Sequence, residues 1–244
     1  MVVVNKELCT GCWTCIPYCP VSALKKNEDE TITYVDQDIC TKCNVCIRNQ
    51  VCPLEAIEEQ PYDNFKNEFQ HLMSDPTVST KGTGVPGRGT EEAKTNDVTG
   101  RFGKNEFGIC IDMGRPGIGC KLREAEKVAM AVVRAGVKLE GPEATPIAKI
   151  MTDLKTGKLR DDLLETYVLS IIVEGKCNIK RLPDVIKALK EVEKQIETVF
   201  SLGIVARVDE NGDTPMFDML KELNIPRPFR GKINVGLGRP LVED

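Results

Sequence analysis

Apolar and polar residues alternate from Phe107 to Met113 (Phe-Gly-Ile-Cys-Ile-Asp-Met), the two-residue period of a strand. Gly114-Arg-Pro-Gly117-Ile-Gly119 then turns the chain. From Cys120 to Ala135 the period becomes helical: Leu122, Ala125, Val128, Ala129, Val132 and Val133 share one face, and Gly136 is a stop signal. The pattern predicts a short strand at 137–139, a helix over 145–154 and a strand over 167–173. Pro183 opens a long helix carrying Val185, Ile186, Leu189, Val192, Ile196 and Val199. A strand over 203–208, a turn at Asn211-Gly212, a helix from Thr214-Pro215 to Leu223 and a strand over 232–237 complete the chain. Strands alternating with helices predict an α/β sandwich for residues 105–244, with βαβ halves as one way of building it.

The preceding stretch reads differently. Phe65, Phe69 and Leu72 give residues 61–73 a short amphipathic face, with His71 at its edge in position for a polar contact. Apolar residues then thin out to Lys104, and glycine is frequent. Gly82, Gly84 and Gly87 match the spacing of a dinucleotide fingerprint. No strand precedes them, and Pro86 and Gly89 spoil the helix that should follow. Residues 61–104 therefore read as a linker with a Gly-rich loop. The loop either ties two domains together or contacts a ligand, its backbone amides forming an anion nest with Arg88 and Arg101. Arg115 and Arg239 follow two similar strand segments, each in a Gly-Arg-Pro turn. That turn is a common strand terminator, but it also places two guanidinium groups where they could hold an anion. These four arginines are the candidate cofactor- or acceptor-binding residues, and no catalytic residue is assigned.

Length and charge narrow the function. The 244 residues can bury a real core, and no run of eighteen apolar residues encodes a membrane span. The first residues lack the basic, apolar and cleavage regions of a secretory signal, which favours a cytoplasmic location. A net charge of −4 argues against nucleic-acid binding through a basic surface. The single histidine, His71, excludes a multi-histidine metal centre.

Cysteine changes the picture most. Eight of the eleven lie before residue 53, in dense clusters that suggest metal rather than disulfides. The first reads Cys9-Thr-Gly-Cys12-Trp-Thr-Cys15-Ile-Pro-Tyr-Cys19-Pro20, or C-x2-C-x2-C-x3-C-P. The second reads Cys40-Thr-Lys-Cys43-Asn-Val-Cys46 and, after two extra residues, Cys52-Pro53. The halves form an internal repeat, with Val4 to Cys9 aligning on Val35 to Cys40 and Cys19 to Leu24 on Cys52 to Ile57. Zinc sites also use C-x2-C pairs, but paired triplets each followed by Cys-Pro fit them badly. Residues 1–60 resemble a bacterial-type ferredoxin with two 4Fe–4S clusters. The resemblance implies crossed fourth ligands. One cluster takes Cys9, Cys12, Cys15 and Cys52; the other takes Cys40, Cys43, Cys46 and Cys19. Trp13 and Tyr18 are expected to pack against the first cluster.

Three cysteines remain. Cys120 follows Gly119 at a predicted helix start, where a helix dipole lowers a thiol pKa, but a buried inert thiol is the favoured reading because free cysteines are commonly buried; the roles of Cys110 and Cys177 stay open.

The expected architecture is α+β: a ferredoxin domain (1–60), a linker and Gly-rich loop (61–104) and an α/β sandwich (105–244). The expected function is low-potential electron transfer within an anaerobic oxidoreductase system. Residues 1–62 hold nine acidic against five basic side chains, whereas the remainder balances at 28 of each. The redox partner should therefore present a basic docking surface, and the acceptor could be a small anion. Through Gly87-Arg-Gly-Thr-Glu-Glu92 and Thr95-Asn-Asp-Val-Thr-Gly-Arg101 the whole chain resembles 6-hydroxynicotinate reductase-like iron–sulfur proteins of strict anaerobes. That resemblance implies an alternative, a reductase in its own right with a site between loop 81–104 and the C-terminal domain. A redox sensor or assembly factor is the third class.

Overall fold

The computed structural model describes residues 1–78, 102–114, 118–209 and 211–226. The cysteine-rich segment contains β1 (Val2–Val4), β2 (Leu24–Lys26), β3 (Thr33–Val35), α1 (Val45–Arg48) and β4 (Ile57–Glu59). β1 pairs antiparallel with β4, joining the two ends of the segment, and β2 pairs antiparallel with β3. The sequence repeat is also a backbone repeat. Left-handed residues recur at Gly11 and Lys42, at Trp13 and Asn44, and at Ser22 and Glu55. The apolar core here is thin: Val2, Ala23, Leu24 and Val51 pack with Val4, Val35 and Ile57 around the cysteines. So small a core needs staples of another kind to hold three-residue strands.

Helix α2 (Phe65–Ser74) follows, N-capped by Asn64, whose side chain accepts from the Asn67 amide. It lies in the stretch expected as a linker, yet Phe69 and Met73, one turn apart, are buried in the larger C-terminal core.

That core is built on β5 (Glu106–Met113), β6 (Cys120–Lys121), α3 (Leu122–Arg134), β7 (Lys138–Leu139), β8 (Met151–Asp153), β9 (Lys158–Leu159), β10 (Tyr167–Val168), β11 (Ile171–Asn178), α4 (Leu182–Val192), β12 (Phe200–Ala206) and α5 (Met216–Glu222). The main sheet has the order β12-β5-β11-β7; β6 and β10 form a separate pair. Alternate residues Phe107, Ile109, Ile111 and Met113 of β5 and Ile171 and Val173 of β11 share one core with Leu122, Val128 and Val132 of α3 and Val185 and Leu189 of α4. Cys110 and Ile172 pack with Phe102 in a separate, smaller cluster. Gly108 makes room for that ring, since a Cβ there would lie 2.4 Å from Phe102 Cζ.

Several expectations need correction. Every pair of the main sheet is antiparallel, so the described sheet contains no βαβ half. β5 and β11 are direct antiparallel neighbours, and the helix between them in sequence covers the sheet rather than crossing between parallel strands. The helix expected over 145–154 is a 3₁₀ turn (Pro146–Ile150) followed by the β8–β9 hairpin, which turns through left-handed Gly157. The strand expected over 167–173 breaks at Leu169, whose amide donates to Ser74 Oγ of α2. α4 ends at Val192, short of the expected Val199. The strand expected over 232–237 lies outside the described residues.

Candidate metal centres

All eleven cysteines lie among the described residues, with no disulfide between them. Eight of them line two cavities. One is lined by Cys9, Cys12, Cys15 and Cys52 together with Val4, Trp13, Leu54 and Ile57. The other is lined by Cys19, Cys40, Cys43 and Cys46 together with Val2, Leu24 and Val35. Each cavity thus takes three cysteines from one half of the repeat and the fourth from the other. Among the described residues no three His, Cys, Asp or Glu side chains close on a single point as a lone ion requires. The cysteines instead surround a space.

Local structure explains the convergence. Left-handed Gly11 and Lys42 turn the chain between the first two cysteines of each run. A Cβ on Gly11 would lie 2.3 Å from Thr31 O, so this turn packs backbone against backbone. A 3₁₀ turn (Ile16–Tyr18) delivers Cys19, and α1 carries Cys46.

Donors point at the sulfurs. Ala23 N donates to Cys19 Sγ at 3.1 Å, and its repeat counterpart Ala56 N donates to Cys52 Sγ at 3.3 Å. Thr33 N donates to Cys9 Sγ at 3.4 Å. Such bonds favour the thiolate. A hydrogen bond from Thr14 lowers the pKa of Cys12. Burial works the other way, raising the pKa of Cys15 and Cys40 and pushing Cys46 up to about 12. Without metal these buried thiols stay protonated, and metal binding must release their protons. Thiols in a dry shell with amide donors on sulfur are a donor set that fits an iron–sulfur cluster.

The two sites differ in exposure. Cys12 is exposed, with exposed Leu54 lining the same cavity, whereas Cys40 and Cys43 are buried. α2 supports the loop of the second site: Gln70 Nε2 donates to Cys40 O at 3.3 Å, and His71 Nδ1 lies 2.9 Å from Lys42 O. His71 Nδ1 also lies 3.1 Å from Tyr62 Oη, a polar contact of the kind its place in the sequence suggests, and the two rings stack. Arg48 pairs with buried Asp75 at 2.7 Å, tying α1 to the end of α2.

Residues 2–25 match the 4Fe-4S binding domain family. The chain is 39% identical over 57 residues to Ferredoxin-3 of Chlorobaculum tepidum, covering 86% of that protein and 21% of this chain. The chain belongs to the 4Fe–4S ferredoxins through its N-terminal domain. The ferredoxin domain is also 35% identical over 66 residues to the pyruvate synthase subunit PorD of Thermotoga maritima, covering 64% of it and 27% of this chain. Over 90 residues the chain is 33% identical to the hydrogenase-2 operon protein HybA of Escherichia coli O157:H7, covering 34% of this chain. It spans about a quarter of HybA's length, 26%. No solved structure matches this chain.

The remaining site expectations divide. Trp13 lines the first cavity, with Lys26 Nζ 3.9 Å above its ring, but Tyr18 is 55% exposed and packs against neither site. Its place in a solvent-facing 3₁₀ turn, next to Pro17, points it outward. Arg88, Arg101, Arg115 and Arg239 lie outside the described residues, as does most of loop 81–104. Cys120 is no activated thiol: burial, then the charge of Glu124, pushes it up to about 12. Sequence reasoning passed over Lys42 and Gln70. Aligning the halves would have exposed the first, since Lys42 stands where the first half has Gly11.

Proposed function

We propose that this chain is a low-potential electron-transfer protein holding two 4Fe–4S clusters, working as a subunit or partner of an anaerobic oxidoreductase. Cys9, Cys12, Cys15 and Cys52 hold one cluster, and Cys40, Cys43, Cys46 and Cys19 hold the other. The observation that carries this reading is the pair of cavities, each lined by a triplet and the fourth cysteine of the opposite half. Bound there, each cluster supplies a one-electron couple. The protein's own groups do the rest. Ala23 and Ala56 donate to sulfur and hold the fourth cysteines in place, while Val2, Val4, Leu24, Val35 and Ile57 keep water away.

Residues 1–60 form the electron-transfer module, and residues 105–244, joined to it by 61–104, dock a partner or bind the acceptor. Two relatives support a place in a larger assembly, one being a pyruvate synthase subunit and the other a hydrogenase-2 operon protein. The acidic balance of residues 1–62 selects a basic docking surface on the redox partner. Arg88, Arg101, Arg115 and Arg239 supply guanidinium groups for a small anionic acceptor or an anionic group of the partner.

Electron transfer from the reduced chain to a basic c-type cytochrome tests the docking part. The rate should fall steeply as salt rises. A rate indifferent to salt overturns the acidic docking surface.

A further inference from the structure

We propose that Lys42 makes the two cysteine sites unequal, so that a transferred electron settles at the site of Cys40, Cys43, Cys46 and Cys19. This rests on the two-cluster reading and adds an internal direction to it.

The two halves place different residues at one backbone position. Cys9-Thr-Gly11-Cys12 aligns with Cys40-Thr-Lys42-Cys43, and both third residues are left-handed, with φ of 68° and 60°. The first half has no room for a side chain there, because Thr31 O lies 2.3 Å from where a Cβ would stand. A charge at this position is therefore available to the second site and denied to the first.

Lysine is a costly choice. Its backbone conformation suits glycine better, and its side chain is 1% exposed. Nζ donates to Gln37 Oε1 at 2.8 Å and to Cys40 O at 3.3 Å, both neutral acceptors. Among the described residues no carboxylate pairs with it at salt-bridge distance; Asp38 acts from farther away, and Lys66 on α2 adds a second positive charge. The anionic group nearest in kind is the thiolate set of the site itself, and Lys42 Nζ is one hydrogen bond from the backbone of Cys40, a member of that set. A buried ammonium beside a group that gains negative charge on reduction favours the reduced form, the more so in a low-dielectric interior.

Exposure gives this bias a use. The first site opens to solvent at Cys12, where a partner can approach. The second lies under α2, whose Gln70 leads to Tyr167 and the C-terminal core. An electron received at the exposed site is drawn inward by Lys42.

The test uses the full chain, loaded anaerobically, in unaltered form and as Lys42→Met, Lys42→Gln and Lys42→Arg. Redox titration is followed by EPR, and the two sites are told apart by the hyperfine-shifted cysteine β-proton NMR signals. In the unaltered chain the first electron should appear on the Cys40 site. Both uncharged variants should move the distribution toward the Cys9 site by tenfold or more, which is about 59 mV for a one-electron couple; arginine should preserve it. An unchanged distribution at full iron content in either uncharged variant overturns the proposal. So does an equal shift with arginine, which would mark a packing effect. Iron and sulfide content of the unaltered chain tests the two-cluster reading separately: if one cluster alone loads, that reading fails, while the effect of Lys42 is still read from the potential of the loaded site.

Discussion

The side-chain amide of Gln70 donates to the backbone carbonyl of Tyr167 at 2.8 Å, and the same nitrogen reaches Cys40 O at 3.3 Å. One buried side chain thus touches both the cysteine loop of the second site and the β10 edge of the C-terminal domain. The ferredoxin domain and the larger core are not beads on a string here. α2 buries Phe69 and Met73 on one side and holds the metal-site loop with Gln70 and His71 on the other.

Replacing Gln70 by Leu keeps the volume but leaves two carbonyls without their donor. The expected cost is about 1–3 kcal/mol, the penalty of an unmade buried hydrogen bond. Urea unfolding of the loaded chain measures it. A shift below a few tenths of a kcal/mol would show that the bridge contributes nothing to joining the halves.

Glu124 gives the chain an acid-sensitive point. Its carboxylate accepts from Lys127, from Arg123 Nε at 3.0 Å and from the Glu197 amide at 3.2 Å. Burial opposes ionisation, but these bonds outweigh it and hold the pKa below the usual glutamate range. A depressed carboxylate stabilises the fold fully above its unfolded pKa, about 4.3. That contribution is lost as pH falls through the folded value. Glu124→Gln should therefore cost roughly 1–2 kcal/mol at neutral pH and flatten the stability curve below about pH 4.3. Parallel acid limbs in the two proteins would show that Glu124 is not what titrates.

The three cysteines outside the cavities should be chemically silent. Burial raises the pKa of Cys177 and, with Glu124, that of Cys120, while Cys110 is buried with its Sγ 3.4 Å from Glu174 Oε1. Iodoacetamide attacks thiolates, so the loaded native chain should leave all three unmodified at pH 8 and the unfolded chain none. Rapid native labelling of Cys120 would revive an activated-thiol role.

What could be read from the residues was what is local. The cysteine spacing of 9–19 and 40–52 is itself the geometry of a tight turn, so the convergence of each triplet was legible. The alternation from Phe107 to Met113 and the apolar stripe of α3 likewise became β5 and a buried helix face. Strand pairing was not legible, because the same order of helices and strands fits parallel and antiparallel sheets. The break at Leu169 depends on Ser74, ninety-five residues earlier, taking its amide. Lys42 and Gln70 were missed for one reason: a lysine and a glutamine read as solvent-facing until a fold buries them.

The central claim is two clusters on crossed cysteine sets. Iron and acid-labile sulfide per chain after anaerobic preparation test it most directly, measured on the unaltered chain and on Cys19→Ala and Cys52→Ala. The unaltered chain should carry about eight of each. Cys19→Ala should lose the cluster of Cys40, Cys43 and Cys46, and Cys52→Ala that of Cys9, Cys12 and Cys15, as read from the cysteine signals that survive. An unaltered chain with about four iron or with zinc alone, or a Cys19→Ala chain that loses the Cys9 cluster instead, would contradict the account.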